Sequence, residues 1–145
     1  NMLRLEKDDI LIFRNREFNI QPLYTGDWEL GRQTNALYTK ARISMPRTVS
    51  QWLGKIYPIY SALDSYHIKI QSTIPYHKDD TGFVDHYRFN INARGSYWMN
   101  IGDRTYLLEE GDSCLFRSDI SEHGVDLFEN KSIEIFSIGI FIGRE

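Results

Sequence analysis

From Ser65 onward the chain is a succession of short segments in which apolar and polar residues alternate, separated by turns built on Gly or Asp. Ser65 to Ile74 sets Tyr66, Ile68, Ile70 and Ser72 against His67, Lys69, Gln71 and Thr73. Tyr76 to Asp79 follows, with a turn at Asp79-Asp80-Thr81-Gly82, and then His86 to Ala93. Tyr97 to Ile101, Thr105 to Leu108, Ser113 to Phe116 and Ile133 to Ile142 complete the run. A period of two places alternate side chains on opposite faces of a strand, and several such strands at regular spacing predict a mainly β sandwich or barrel. The His86 strand narrows this further. Tyr87, Phe89 and Ile91 share one face, while His86, Arg88, Asn90 and Asn92 share the other. In a closed or double-sheeted barrel both faces are covered, so the second set demands a polar interior. An unpaired buried arginine is costly and a carboxylate partner offsets that cost, so the pattern suits a barrel mouth holding a metal and a small anion.

With 145 residues the chain is read as one domain, 1–145, large enough for one core and too small for two. Its parts are lead-in strands and a loop over 1–44, a helix over 45–63 and the barrel core over 64–145. Ile10-Leu11-Ile12-Phe13 and Phe18-Asn19-Ile20 are the candidate lead-in strands. Between Gln21 and Ser44 periodicity is lost, which predicts a functional loop or lid carrying Tyr24, Trp28 and Tyr38 as loop anchors or substrate contacts. Val49, Trp52, Leu53, Ile56, Tyr60 and Leu63 recur at helical steps, with Ser44 as N-cap, Pro46 in the first turn and Pro58 as a kink. The apolar stripe is expected to pack outside the sheet. No internal repeat or low-complexity segment is present.

A net charge of −3 without long runs of either sign gives no general nucleic-acid footprint. The most basic stretch, Arg32 to Arg47, is diluted with Thr, Asn, Tyr and Ser and reads as a solvated or substrate-facing loop. Cys114 is the single cysteine, which excludes an internal disulfide and fits a reducing compartment. Its apolar surroundings predict a buried neutral thiol. No apolar run suits a signal peptide or a membrane span, so a cytoplasmic protein without membrane contact is expected. Asn1 ahead of Met2 reads as a residue left from expression, with a native start at Met2.

The chemistry-bearing residues are His77 and Asp79, two apart and therefore on one strand face, and His123, which follows the turn at Glu110-Gly111-Asp112 and a further strand. Two imidazoles and one carboxylate are the ligand set of a non-haem Fe(II) centre with open coordination positions. Asp80 is an alternative carboxylate but points to the opposite face. His67 and His86 compete for ligation, although His67 has no carboxylate two residues on; the alternative to a functional metal site at His77, Asp79 and His123 is a hydrogen-bonded structural histidine or a barrel that has lost its metal. No Gly-x-Ser-x-Gly elbow or Gly-x-x-x-x-Gly-Lys loop is present, and Cys114 has no activating neighbour in sequence.

Ile74-Pro75-Tyr76-His77-Lys78-Asp79, His86-Tyr87-Arg88-Phe89-Asn90-Ile91, Gly111-Asp112 and Glu122-His123-Gly124-Val125 with Asn130 following together resemble the aspartyl/asparaginyl β-hydroxylase branch of the Fe(II)/2-oxoglutarate-dependent oxygenases. The resemblance covers Ser65 to Ile142 and implies a double-stranded β-helix, or jelly-roll, core. It implies iron on His77, Asp79 and His123, and a cosubstrate-binding pair at His86 and Arg88. It implies 2-oxoglutarate as cosubstrate and hydroxylation of an amino-acid or peptidyl side chain, with a small molecule or peptide as partner. Where many relatives carry an arginine after the distal histidine, this chain has Ile133, so Arg88, Lys131 or Lys69 is left to hold the cosubstrate's carboxylate. Trp98, Tyr97 and Tyr24 are candidate pocket walls. Two other readings keep the barrel. One is a cupin-like metal protein, such as an isomerase or a dioxygenase without 2-oxoglutarate; Gly111, His123 and Asn130 suit a second cupin motif, but the His-x-His-x-x-x-Glu of the first is absent. The other is a non-enzymatic barrel that binds a small acid or peptide.

Overall fold

A computed structural model of the chain describes residues 5–14, 20–31, 35–44, 47, 51, 62–79, 84–129 and 131–143. Twelve strands run through them: β1 (Ile10–Phe13), β2 (Leu23–Tyr24), β3 (Glu29–Leu30), β4 (Leu37–Arg42), β5 (Ala62–Ile70), β6 (Ile74–His77), β7 (Val84–Arg94), β8 (Tyr97–Ile101), β9 (Arg104–Leu108), β10 (Ser113–Arg117), β11 (His123–Leu127) and β12 (Ile133–Gly143). The larger sheet has the order β1-β10-β7-β12-β5-β4-β2, with β3 also on β4, and the smaller has the order β6-β11-β8-β9. Every strand pairing is antiparallel. Strands β5 to β12 pass back and forth between the sheets and supply four to each, which is the jelly-roll arrangement of the double-stranded β-helix.

Two apolar layers hold this arrangement. Tyr87, Phe89 and Ile91 of β7 pack with Leu115, Ile138 and Ile140 on the outer face of the larger sheet, beneath Leu5, Ala41 and Ile43. Between the sheets lie Ile68, Ile70, Met99, Ile101, Phe116 and Ile135. Phe89 is wholly buried, and a side chain of that size contributes roughly 1.5–3 kcal/mol when removed from water. With the odd residues of β7 committed to the outer layer, the pleat turns His86, Arg88, Asn90 and Asn92 toward the barrel interior, as the alternation requires. The Nδ2 of Asn92 is satisfied internally, donating to the carbonyls of Leu108 at 3.1 Å and Glu109 at 3.0 Å.

Cys114 lies in the inter-sheet layer with no exposed surface. Burial pushes its thiol up to about 12, outweighing hydrogen bonds to Tyr97 and the Asn90 backbone that act the other way. A thiol held neutral and covered is a poor nucleophile. The native protein should therefore be inert to a disulfide reagent at mildly alkaline pH and react stoichiometrically once unfolded. Rapid reaction in the native state would show that β10 opens readily.

Several expected boundaries move. The single strand expected over Ser65 to Ile74 is two, because the chain leaves the larger sheet at Gln71 and enters the smaller at Ile74. The segment from Gln21 to Ser44, expected as a loop, contains β2, β3 and β4. Its period was hard to see because the residues that β4 buries, Thr39 and Ala41, are polar or small rather than bulky and apolar, while Lys40 and Arg42 are exposed. The strand β11 was not foreseen, since His123 and Gly124 interrupt its apolar pattern. The helix expected over 45–63 falls almost wholly outside the described residues and is not established; at its end Ala62 and Leu63 are strand, the start of β5. Phe18, Asn19 and the turn residues 80–82 also lie outside the described residues. Among the described residues no helix is long and apolar enough to cross a membrane.

Candidate metal centre

His77 closes β6 and His123 opens β11, and the two are register partners across the smaller sheet, with ring centroids 4.4 Å apart. Asp79 lies just beyond β6, where its amide donates to the carbonyl of Ser118 at 2.8 Å and ties it to the end of β10. The topology thus brings together two ring nitrogens and a carboxylate oxygen, all within 4.8 Å of one another. His77 Nε2 is 3.7 Å and His123 Nε2 3.9 Å from Asp79 Oδ1. Both rings are oriented by the same local device. Nδ1 of His77 donates to the Pro75 carbonyl at 2.9 Å, and Nδ1 of His123 donates to the Ser121 carbonyl at 2.8 Å. A proton fixed on Nδ1 leaves Nε2 as the lone-pair atom, the tautomer and outer-shell support that metal-ligating histidines commonly show.

The close approach of β6 and β11 depends on Gly124. A Cβ there would lie 2.5 Å from the Ile74 carbonyl oxygen and 3.1 Å from the Pro75 carbonyl carbon, both backbone atoms that cannot swing aside. The register also shifts between His123 and Val125, so the strand is already irregular at this point. Gly124→Ala should destabilise the protein by about 1–3 kcal/mol in chemical denaturation through forced strand separation. Unchanged stability would show that the two strands are not locked as described.

Electrostatics prepare Asp79 and His123 for a cation. Burial acts against the charge on Asp79, but hydrogen bonding from His86 and the Arg88 guanidinium outweigh it and hold the carboxyl well below the usual carboxylate range. The two oxygens divide the work. Oδ1 faces the two imidazoles, while Oδ2 lies 3.5 Å from both His86 Nδ1 and Arg88 Nε. Burial pushes His123 down to about 4, against the opposing pull of the Ser121 carbonyl and Asp79. At neutral pH His123 is therefore uncharged, so its 3.9 Å approach to Asp79 is not an ion pair. Metal binding needs deprotonated ligands, which Asp79 and His123 supply.

These groups line a cavity of about 530 Å³ between the sheets. Arg88 is the one lysine or arginine among its described lining residues. Its Nη1 donates to Ser137 Oγ at 2.8 Å, and that hydroxyl donates to Asn90 Oδ1 at 2.6 Å. His86, buried, lies beside Arg88 with Nδ1 against Ser118 Oγ. The other expected cations are elsewhere. Lys131 is exposed and does not line the cavity; its amide N–H donates to the Phe128 carbonyl at 3.0 Å. Lys69 shares the outward parity of β5 and places Nζ 4.4 Å over the Trp28 ring.

The expected aromatic walls are replaced by others. Tyr97 is buried in the inter-sheet core, Trp98 packs on Phe128 at 5.5 Å, and the Tyr24 hydroxyl bonds His67 Nδ1 at 3.0 Å. None of the three lines the cavity; Tyr38, Tyr66, Phe116 and Phe141 do. His67, a competitor for ligation, is engaged by Glu134 at 2.9 Å away from the cavity. Asp64 and Ser137 are lining residues that sequence reading missed. For Asp64 and Tyr66 the signal was present, since they share strand parity with the buried Ile68 and Ile70.

No protein-family model and no curated protein matches the chain. Solved structures do resemble it. KdgF from a Halomonas species aligns with a TM-score of 0.53 at 12% identity, covering 84% of this chain and 95% of that one. A Cupin 2 conserved barrel domain protein from Salinispora arenicola aligns at 0.52 and 13% identity, covering 86% and 89%. A predicted oxalate decarboxylase from Thermotoga maritima aligns at 0.50 and 12% identity, covering 90% and 100%. The chain has the cupin fold. At such identities the likeness concerns architecture alone, so it supports the double-stranded β-helix core and not the aspartyl/asparaginyl β-hydroxylase branch. In this cupin barrel the candidate ligands come from one edge strand of the smaller sheet, the residues just beyond it and the neighbouring strand.

Proposed function

We propose that the protein is a non-haem Fe(II) oxygenase that uses 2-oxoglutarate to hydroxylate an amino-acid or peptidyl side chain. The observation that carries this reading is the convergence of His77 Nε2, His123 Nε2 and Asp79 Oδ1 at a cavity that also contains Arg88. Two imidazole nitrogens and a carboxylate oxygen fit ferrous iron and leave coordination positions for other ligands. Bound there, iron supplies O₂ activation coupled to oxidation of the keto acid. The chain's own residues do the rest. His86 and Arg88 orient Asp79 through Oδ2. Arg88, with five donors in a planar fork, can keep Ser137 and Asp79 while pairing a cosubstrate carboxylate. Tyr66, Phe116 and Phe141 wall the space and limit access of water to the reacting groups.

One observation favours a second reading. The sole lysine or arginine among the described lining residues is already bonded to Ser137 and close to Asp79, which suits an iron cupin that takes no 2-oxoglutarate. Anaerobic addition of 2-oxoglutarate to the Fe(II)-loaded protein separates the two. The oxygenase reading expects a visible charge-transfer band, and succinate once O₂ and ascorbate are admitted. Iron bound with neither band nor succinate supports the second reading, and failure to bind iron leaves a barrel that binds a small acid or peptide.

A further inference from the structure

Two of the three candidate ligands are aimed by one short turn. It joins Arg117, the last residue of β10, to His123, the first of β11. The Ser118 carbonyl accepts the Asp79 amide at 2.8 Å, and the Ser121 carbonyl accepts Nδ1 of His123 at 2.8 Å. Ser118 also donates its own amide to the His86 carbonyl at 3.1 Å and sets its hydroxyl against His86 Nδ1. Both serines are wholly buried. The direction of two carbonyl groups in this turn therefore decides where Asp79 and His123 point.

The turn is gripped from the far side of the larger sheet. Arg117 is the register partner of Tyr87, and Asp85 lies two residues before Tyr87 on the same outer face of β7. Arg117 closes a fork on Asp119, with Nε to Oδ1 at 2.9 Å and Nη2 to Oδ2 at 2.7 Å, and Nη2 also reaches Asp85 Oδ1 at 3.2 Å. Its guanidinium lies 5.2 Å from the centre of the Tyr87 ring. None of these four residues lines the cavity. Arg117 is 9% exposed and its carboxylate partners are largely covered. Desolvation offsets much of the attraction in a buried ion pair, so its net stabilisation is small, but a two-point fork fixes geometry. That geometry reaches both carbonyls. The Ser118 carbonyl belongs to the peptide unit that leads into Asp119, and the Ser121 amide donates to the Arg117 carbonyl at 3.1 Å.

We propose that Arg117, clasped to Asp119 and Asp85, is a positioning residue for the metal centre: it holds the turn so that Ser118 and Ser121 aim Asp79 and His123 at one point. The inference rests on the metal centre of His77, Asp79 and His123 and not on the use of 2-oxoglutarate. An ion pair that served stability alone would leave the ligands on the other side of the sheet undisturbed.

The test compares Arg117→Lys, which keeps the charge and loses the fork, with Leu115→Ala, which weakens the outer core on the same strand and face without touching the turn. Amide hydrogen exchange by NMR is measured on the full chain without metal. Co(II), a divalent probe with visible d–d bands, is then titrated and followed by calorimetry and absorption. In Arg117→Lys the Asp79 amide should exchange at least about tenfold faster, the d–d bands should change shape, and Co(II) affinity should fall about 10–100-fold, the loss typical of outer-shell partners. Leu115→Ala should keep the parent's Asp79 exchange, spectrum and affinity. Asp119→Asn, which keeps the shape and removes the charge, should reproduce the Arg117→Lys changes, and circular dichroism confirms that each variant folds. Unchanged Asp79 exchange or unchanged Co(II) affinity in Arg117→Lys, or an equal loss in Leu115→Ala, overturns the proposal. A parent that binds no Co(II) condemns the metal centre, while the exchange data still decide whether the clasp holds Asp79.

Discussion

His77→Ala and His123→Ala should each abolish Fe(II) binding while leaving the far-ultraviolet circular dichroism of the barrel in place. Each removes one of three donors that meet within 4.8 Å, and no other described histidine or acid completes that group. Loss of outer-shell support alone typically costs metal sites 10–100-fold in affinity, so loss of a ligand should exceed about 100-fold. The two variants should differ in stability. His123 is buried, packs edge-on against Phe116 at 4.8 Å and satisfies the Ser121 carbonyl, so its removal should also destabilise the protein by about 1–3 kcal/mol. His77 is more exposed at the end of β6 and should cost less. Iron titrations with denaturant curves on both variants check this. Iron binding retained by His77→Ala, the milder change, would mean that the three groups do not act as one centre.

Arg88→Ala is expected to leave iron binding and remove the cosubstrate. A charge-assisted hydrogen bond contributes about 1.5–3 kcal/mol, so 2-oxoglutarate affinity should fall about 10–100-fold. The same substitution should alter acid stability. Asp79 is held below its ordinary value of 3.8, so its contribution to stability is present above that pH and lost as pH falls toward its depressed folded value. Without Arg88 one of the groups that depress it is gone, and the loss should begin at higher pH. Acid titration of both proteins by fluorescence reads this shift. If Arg88→Ala bound 2-oxoglutarate as tightly as the parent, another group would have to hold the acid.

Strand alternation carried most of what could be read in advance. Tyr87, Phe89 and Ile91 against His86, Arg88 and Asn90 gave both the outer core and the polar interior, because a pleated strand allows no other division. His77 and Asp79 lie at one place for the same reason, although Asp79 is beyond the strand end and is positioned by Ser118 rather than by β6. What sequence could not supply was pairing at a distance. Gly139 brings Asp64 and Arg88 into one row only because β12 inserts between β5 and β7, and no local pattern encodes that order. Ser137 is a polar residue in an apolar strand whose meaning appears only with Arg88 and Asn90 beside it. Lys131 was attractive by its distance along the chain from His123, yet it is exposed and does not line the cavity.

The central claim is that His77, Asp79 and His123 grip one divalent ion inside the barrel. Anomalous diffraction at the iron edge, from crystals grown anaerobically with Fe(II), tests it most directly. The account expects a single strong peak at ordinary coordination distance, about 2.0–2.2 Å, from His77 Nε2, His123 Nε2 and an oxygen of Asp79. A peak elsewhere, or none between these three side chains in iron-loaded crystals, would contradict it.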